Sequence, residues 1–249
     1  MTTTTDPALP TDEQEGPPPQ VEPRRKGGLI RRLFRLVVYL ILASIALVIV
    51  YRFVPPPITI TQVGDLMEGH GLARNWMPLS RIDPSMARAA IAAEDGRFCA
   101  HNGFDFRAIE QAAARNAQGR RLRGGSTISQ QTAKNVFLWQ GRSYLRKGLE
   151  AWFTVLIELI WGKQRIMEVY LNEIETGIGT YGVDAAARRY YHHGAGQLTQ
   201  REAAQIAAVL PLPKKRPAIS PTGYVARYGG RIAARINVVQ RDGLDRCLR

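Results

Sequence analysis

The sequence predicts an all-α domain preceded by a single membrane-spanning segment, on three observations. Helix-starting residues recur ahead of alanine-rich stretches whose apolar residues fall three and four apart. No segment sustains the two-residue alternation of a half-buried strand. One uninterrupted apolar run follows a cluster of basic side chains.

The elements follow in chain order. Residues 1–23 hold five acidic side chains, six prolines and no basic residue. Such a segment cannot bury enough apolar surface to offset its ordering entropy, so residues 1–28 read as a disordered cytoplasmic tail. Arg24, Arg25, Lys26, Arg31, Arg32 and Arg35 then precede the apolar run 36–51. At ~1.5 Å per residue that run covers about 24 Å, short of a ~30 Å hydrocarbon core. Extending it over 33–54, with Arg35 reaching back to the headgroups, closes the gap, and residues 29–54 are assigned as a transmembrane anchor. A cleaved signal peptide fits less well, because the run is longer than a usual signal core and no small-x-small site precedes Pro55-Pro56-Pro57. The basic cluster predicts a cytoplasmic N-terminus and an extracytoplasmic domain over 55–249.

Within that domain, Asp83 can cap a helix with Pro84 at its first position, running to Glu94. Asp105 can cap a helix carrying Phe106, Ile109 and Ala113. Thr127 with Gln130 has capping-box spacing, as has Thr199 with Glu202, and Ser143 can start a helix carrying Leu145, Leu149, Trp152, Leu156 and Ile160. Pro211 ends the helix that begins after Thr199.

The formal net charge is +13. Eight Lys and Arg residues and no acidic one lie between Gln111 and Leu149. Nucleic acid is the obvious polyanion, but an anchor that puts this segment outside the cytoplasm leaves anionic lipid headgroups and lipid-linked diphosphates as partners. Cys99 and Cys247 permit a bridge in an oxidising compartment without requiring one. No zinc-ligand spacing appears, and the adjacent His192 and His193 suit a surface better than a metal.

Two stretches carry candidate chemistry. In Glu94-Asp95-Gly96-Arg97-Phe98-Cys99-Ala100-His101-Asn102-Gly103 a carboxylate stands in the last turn of a helix. There the negative end of the helix dipole favours its protonated form and makes it the stronger base. In the second, 124–135, two glycines precede the Thr127 cap, and Gln130, Gln131, Lys134 and Asn135 follow. Glycines let backbone approach a ligand, and a helix start suits an anion.

These two stretches, with Arg146-Lys147-Gly148-Leu149-Glu150 and the segment from Lys163 to Asn172, resemble the family 51 peptidoglycan glycosyltransferases. The resemblance covers roughly residues 66–244, and it is to members that polymerise lipid II without a penicillin-binding transpeptidase domain. It implies a lysozyme-like helical domain with a smaller membrane-proximal lobe, in the bacterial inner membrane with the catalytic domain periplasmic. By the same resemblance Glu94 is the general base and Glu150 the second catalytic carboxylate, which assists on the leaving-group side or orders the site there. Lys134 and Arg142 contact the diphosphate, while Ser126, Gln130 and Gln131 position substrate. Asn135, His101, Arg146 and Lys147 complete the expected substrate-binding set.

The implied partners are lipid II, the growing lipid-linked glycan strand, membrane lipids and cell-division or wall-synthesis proteins, with no nucleic acid. No tightly bound cofactor is expected; a divalent cation, Mg or Mn, at the diphosphate site is the one candidate. Two positions depart from the family pattern. Gln111 stands where a basic residue is common, so that one diphosphate contact is either lost or supplied by Arg107 or Arg115, and Tyr190-Tyr191-His192-His193 replaces an expected Tyr-Phe followed by lysine.

Two other functions compete. A lysozyme-like hydrolase or lytic transglycosylase would use a similar lone glutamate, but a neutral glycan gives Lys134 no diphosphate to bind. A non-catalytic wall scaffold would need neither carboxylate. For Glu150, an ion pair with Arg146 or Lys147 inside one helix is the plain alternative, although helices gain more when the glutamate precedes the cation.

Overall fold

A computed structural model describes residue 2 and residues 27–117, 125–141, 143–216, 218–219 and 221–249. Helices α1 (Gly27–Phe53), α2 (Ile60–Met67), α3 (Pro84–Glu94) and α4 (Phe106–Ala117) come first. They are followed by α5 (Ile128–Phe137), α6 (Tyr144–Ile160), α7 (Gly162–Glu173), α8 (Val183–Tyr191), α9 (Gln200–Val209) and α10 (Gly223–Arg241). The expected all-α class holds, with one addition. Strands β1 (Ala73–Arg74), β2 (Glu175–Gly177) and β3 (Thr180–Tyr181) form a small sheet in the order β1-β3-β2, with β1 parallel and β2 antiparallel to β3. Strands of two or three residues are too short to print an alternation.

Each expected cap forms. Ser85 N–H donates to Asp83, Ala108 N–H to Asp105 and Arg146 N–H to Ser143, while Thr127/Gln130 and Thr199/Glu202 close reciprocal boxes. These bonds satisfy backbone donors that a helix start otherwise leaves orphaned. Helix α3 ends at Glu94, as the sequence predicts.

The chain divides into two units, 1–42 and 43–249. Among the described residues one helix is long and apolar enough to cross a membrane, Ile30–Phe53, with mean hydropathy 2.7. Its 24 residues span about 36 Å at ~1.5 Å each, more than a ~30 Å hydrocarbon core. Within the second unit, the end of this helix docks on α6 and α7. Val48 is fully buried, Trp161 Nε1 donates to its carbonyl at 2.7 Å, and Arg165 donates to the Tyr51 and Val54 carbonyls at 2.7 and 3.0 Å. The Tyr51 carbonyl, in the last turn of the helix and without an intrahelical partner there, is thereby satisfied.

The core is built from α3, α5, α6, α7, α9 and α10, with Met86, Ile91, Phe98, Ile128, Ile157, Met167, Tyr170 and Ile206 buried. Alanines on α3 and α9 let those helices and α10 approach closely. The segment from Lys163 to Asn172 braces this core. Lys163 Nζ reaches Glu158 at 2.7 Å and lies 4.5 Å from the Phe98 ring centroid, and Asn172 holds Met77 through both its N–H and its carbonyl. Cys99 and Cys247 are joined in a disulfide that fixes the chain end to the segment after Glu94.

Candidate active site

The C-terminus of α3 and the N-terminus of α5 meet through Asp95. Its Oδ2 accepts from the Ile128 N–H at 3.0 Å, the first residue of α5, and both its oxygens lie 3.0 Å from His101 Nε2. His101 Nδ1 accepts from the Gly103 N–H at 3.2 Å, so the ring proton sits on Nε2 and is donated to Asp95. A carboxylate at a helix N-terminus satisfies an orphan donor and opposes the positive end of the dipole. Thr127 Oγ1 adds a bond to the Gly103 carbonyl at 2.6 Å. The geometry of the first motif is therefore locked onto the start of the second.

That junction places Glu94 opposite Gln131, whose Nε2 donates to Glu94 Oε2 at 2.9 Å. Burial raises the Glu94 carboxyl above the ordinary carboxylate range. The Gln131 hydrogen bond lowers it, the Asp95 charge raises it, and Arg216 and Lys134 lower it. Glu94, Ser126 and Gln131 line a cleft of about 730 Å³, closed on its other wall by Arg216, Tyr224, Tyr228, Arg231 and Arg235. Tyr228 is tied across the cleft floor by a 3.0 Å bond from its hydroxyl to the Ala93 carbonyl.

Lys134 is half-buried on α5 and makes no direct ion pair or hydrogen bond among the described residues. Burial lowers its ammonium pKa; Glu150 raises it, and Arg146 and Lys147 lower it. Lys134 is thus the cation felt by both Glu94 and Glu150. The two carboxylates are not in mutual contact: Glu94 is held by Gln131, whereas Glu150 is held on α6 by Arg146 Nη1 at 2.9 Å and by Lys147 Nζ. Glu150 does not line the 730 Å³ cleft. The intrahelical ion pairs do form, but on a carboxylate only 5 % exposed.

The remaining expected residues fall into distinct places. Ser126 is exposed in the cleft, and Asn135 is half-buried beside Lys134 on α5. Gln130 is buried and committed to the Thr127 cap, so its contribution is to fix where α5 begins. Arg142 lies outside the described residues, as does the side chain of Arg115. Tyr190 and Tyr191 bond to the Thr176 carbonyl and to Gln205, and His192 closes α8 in the left-handed region at φ 61°.

Sequence reasoning missed the second wall of the cleft. The Tyr224/Tyr228 and Arg231/Arg235 pairs are each four apart on α10, a spacing that reads in isolation as a solvated face.

A family model described as transglycosylase matches residues 61–239. The chain belongs to this family. It is 54 % identical over 227 residues to the biosynthetic peptidoglycan transglycosylase of Caulobacter vibrioides, covering 89 % of this chain and 99 % of that protein. The proteins of the same name from Rhodospirillum centenum and Pseudomonas aeruginosa are 47 % and 48 % identical, covering 88 % and 89 % of this chain and 96 % and 97 % of their own lengths.

Proposed function

We propose that this transglycosylase polymerises lipid II into β-1,4-linked glycan, inverting the anomeric centre and releasing the lipid diphosphate. The carrying observation is Glu94, a half-buried carboxylate with a raised pKa, held by Gln131 in a cleft that Arg216, Arg231 and Arg235 also line. Glu94 accepts the proton of the acceptor 4-hydroxyl as that oxygen bonds to the donor anomeric carbon. The bond from that carbon to the diphosphate breaks on the opposite face. A carboxyl raised by burial is a stronger base once ionised, and positioned proton transfer supplies typically ~10²–10⁴-fold.

We assign Lys134 to the leaving-group side, with Arg146 and Lys147 on α6. Among the described residues it has no direct ion-pair partner to give up, so its charge is available to a diphosphate. Glu150 sets that cluster: buried ion pairs contribute little net stability, which leaves ordering of the cations as its role. Both its oxygens are engaged, and no second carboxylate joins it on α5 or α6 at Lys134 among the described residues. The electrostatic work at the diphosphate is therefore assigned to the cations.

The anchor helix, the basic residues ahead of it and the Cys99–Cys247 disulfide support an orientation with the N-terminus cytoplasmic and the catalytic domain periplasmic at the bacterial inner membrane. Purified chain given lipid II should yield lipid-linked polymer and no shortening of preformed glycan. Shortening without polymer would instead make it a hydrolase or lytic transglycosylase.

A further inference from the structure

One buried carboxylate takes no part in the chemistry above and lies in none of the four stretches singled out in the sequence. Glu158 stands on α6, eight residues after Glu150, with its side chain 8 % exposed. Its Oε1 accepts from the hydroxyl of Ser129 on α5 and from Lys163 Nζ on α7, the latter at 2.7 Å. Lys163 Nζ in turn lies 4.5 Å from the Phe98 ring centroid. Gly103, in the left-handed region at φ 90°, closes the set. A Cβ there would lie 2.7 Å from Thr154 Cγ2 and 3.1 Å from Glu158 Cγ, so bare backbone is what fits against this turn of α6. Residues of the first, second and fourth stretches thus converge on Glu158, and its own helix carries the third.

Glu150 is paired inside its own helix, with Arg146 and Lys147, whereas Glu158 bonds two other helices. Ser129 is the second residue of α5 and fully buried. The first turn of α5 is therefore held from two sides, by Asp95 at the Ile128 N–H and by Glu158 at the Ser129 hydroxyl. Bonds to a charged acceptor fix such spacings more firmly than bonds between neutral groups. Lys134 lies five residues further along the same helix. Of the charged groups acting on Lys134, Glu150 acts most strongly. The seating of α5 on α6 thus decides how Lys134 stands to the Glu150 cluster.

We propose that Glu158 is a positioning residue for the transfer: by holding the start of α5 against α6 through Ser129, it sets Lys134 where the departing diphosphate is stabilised. The assignment rests on the polymerase reading above. Neither Glu158 nor Ser129 lines the Glu94 cleft, so the effect is exerted through Lys134. One side chain does two separable jobs. Its charge faces Lys163, which offsets the cost of burying it, and its oxygen holds Ser129 in place.

The test measures kcat/KM with lipid II, and the melting point, on full-length protein in detergent. Ser129→Ala removes the bond to α5 and leaves the Lys163 pair. It should lower kcat/KM about tenfold with little change in melting point, because a misplacement of order 1 Å by a residue remote from the chemistry costs up to ~10²-fold. Glu158→Gln keeps an oxygen for Ser129 but loses the charge facing Lys163. It should lower the melting point by several degrees yet cost less turnover than Ser129→Ala. A loss of turnover that follows the melting point across the two variants would make the carboxylate merely structural and overturn the assignment. A double-mutant cycle tests the route: on a Lys134→Ala background, Ser129→Ala should cost less than about twofold. A penalty that multiplies in full onto that of Lys134→Ala would place the effect elsewhere and also overturn it. Should Ser129→Ala fail to fold, Glu158→Asp, whose shorter arm draws back from Ser129 while keeping the charge, replaces it in the cycle with the same deciding outcomes. No turnover by the unsubstituted chain would remove the polymerase reading itself, and this one with it.

Discussion

Asp95→Asn should destabilise the protein more than any change at neighbouring Glu94. Asp95 is 6 % exposed and accepts from His101 Nε2 and from the Ile128 N–H. An amide of the same shape keeps one acceptor oxygen and turns a donor toward one of two existing donors. Hydrogen bonds to charged groups are worth about 1.5–3 kcal/mol, and a buried donor left unpaired costs ~1–3 kcal/mol. Loss of the carboxylate from the start of α5 adds ~0.3–1 kcal/mol. A total of about 3–7 kcal/mol corresponds to a melting temperature lower by roughly 6–28 °C for a domain of this size. Glu94→Gln is the matched control: its amide oxygen can still accept from Gln131, and it removes a carboxylate that burial already disfavours, so its melting point should stay near wild type. The assay is thermal unfolding of the detergent-solubilised chain. Equal melting points for Asp95→Asn and wild type would refute the idea that this carboxylate clips α3 to α5.

Gln131→Ala removes the hydrogen bond that lowers the Glu94 pKa. Because the base works deprotonated, the acid limb of kcat/KM should move to higher pH; an unmoved limb would separate Glu94 from catalysis. Cys99→Ser/Cys247→Ser opens a cross-link between residues 148 apart, which the chain-entropy model values at up to about 5 kcal/mol. A melting point lowered by roughly 10–20 °C is expected, and wild-type protein with dithiothreitol should match it. A reporter that works only outside the cytoplasm, fused after Leu248, should be active; activity of a cytoplasm-only reporter instead would reverse the proposed topology.

Local rules carried much of the fold. The caps at Asp83, Asp105, Thr127, Ser143 and Thr199 depend on residues within three positions, and each forms where the sequence places it. The carboxylate at the end of α3 was legible for the same reason. What escaped depends on packing between distant segments. Asp95 becomes a clip only because α5 starts against it, 33 residues later. Arg231 and Arg235 become a cleft wall only because α10 packs on α3 and α9. Gln130 shows the converse: one side chain suited both a cap and a substrate contact, and burial commits it to the cap. Glu150 looked badly ordered for an intrahelical pair, yet burial beside Arg146 forms that pair all the same.

The central claim is that Glu94 is the base of a lipid II polymerase. Its most direct test compares turnover and lipid II binding for wild type and Glu94→Gln, with the melting point as a control. The account predicts polymerisation lower by at least about 10²-fold, with binding and folding retained. Near-full turnover by Glu94→Gln, or loss of folding in place of activity, would contradict it and make the first motif structural.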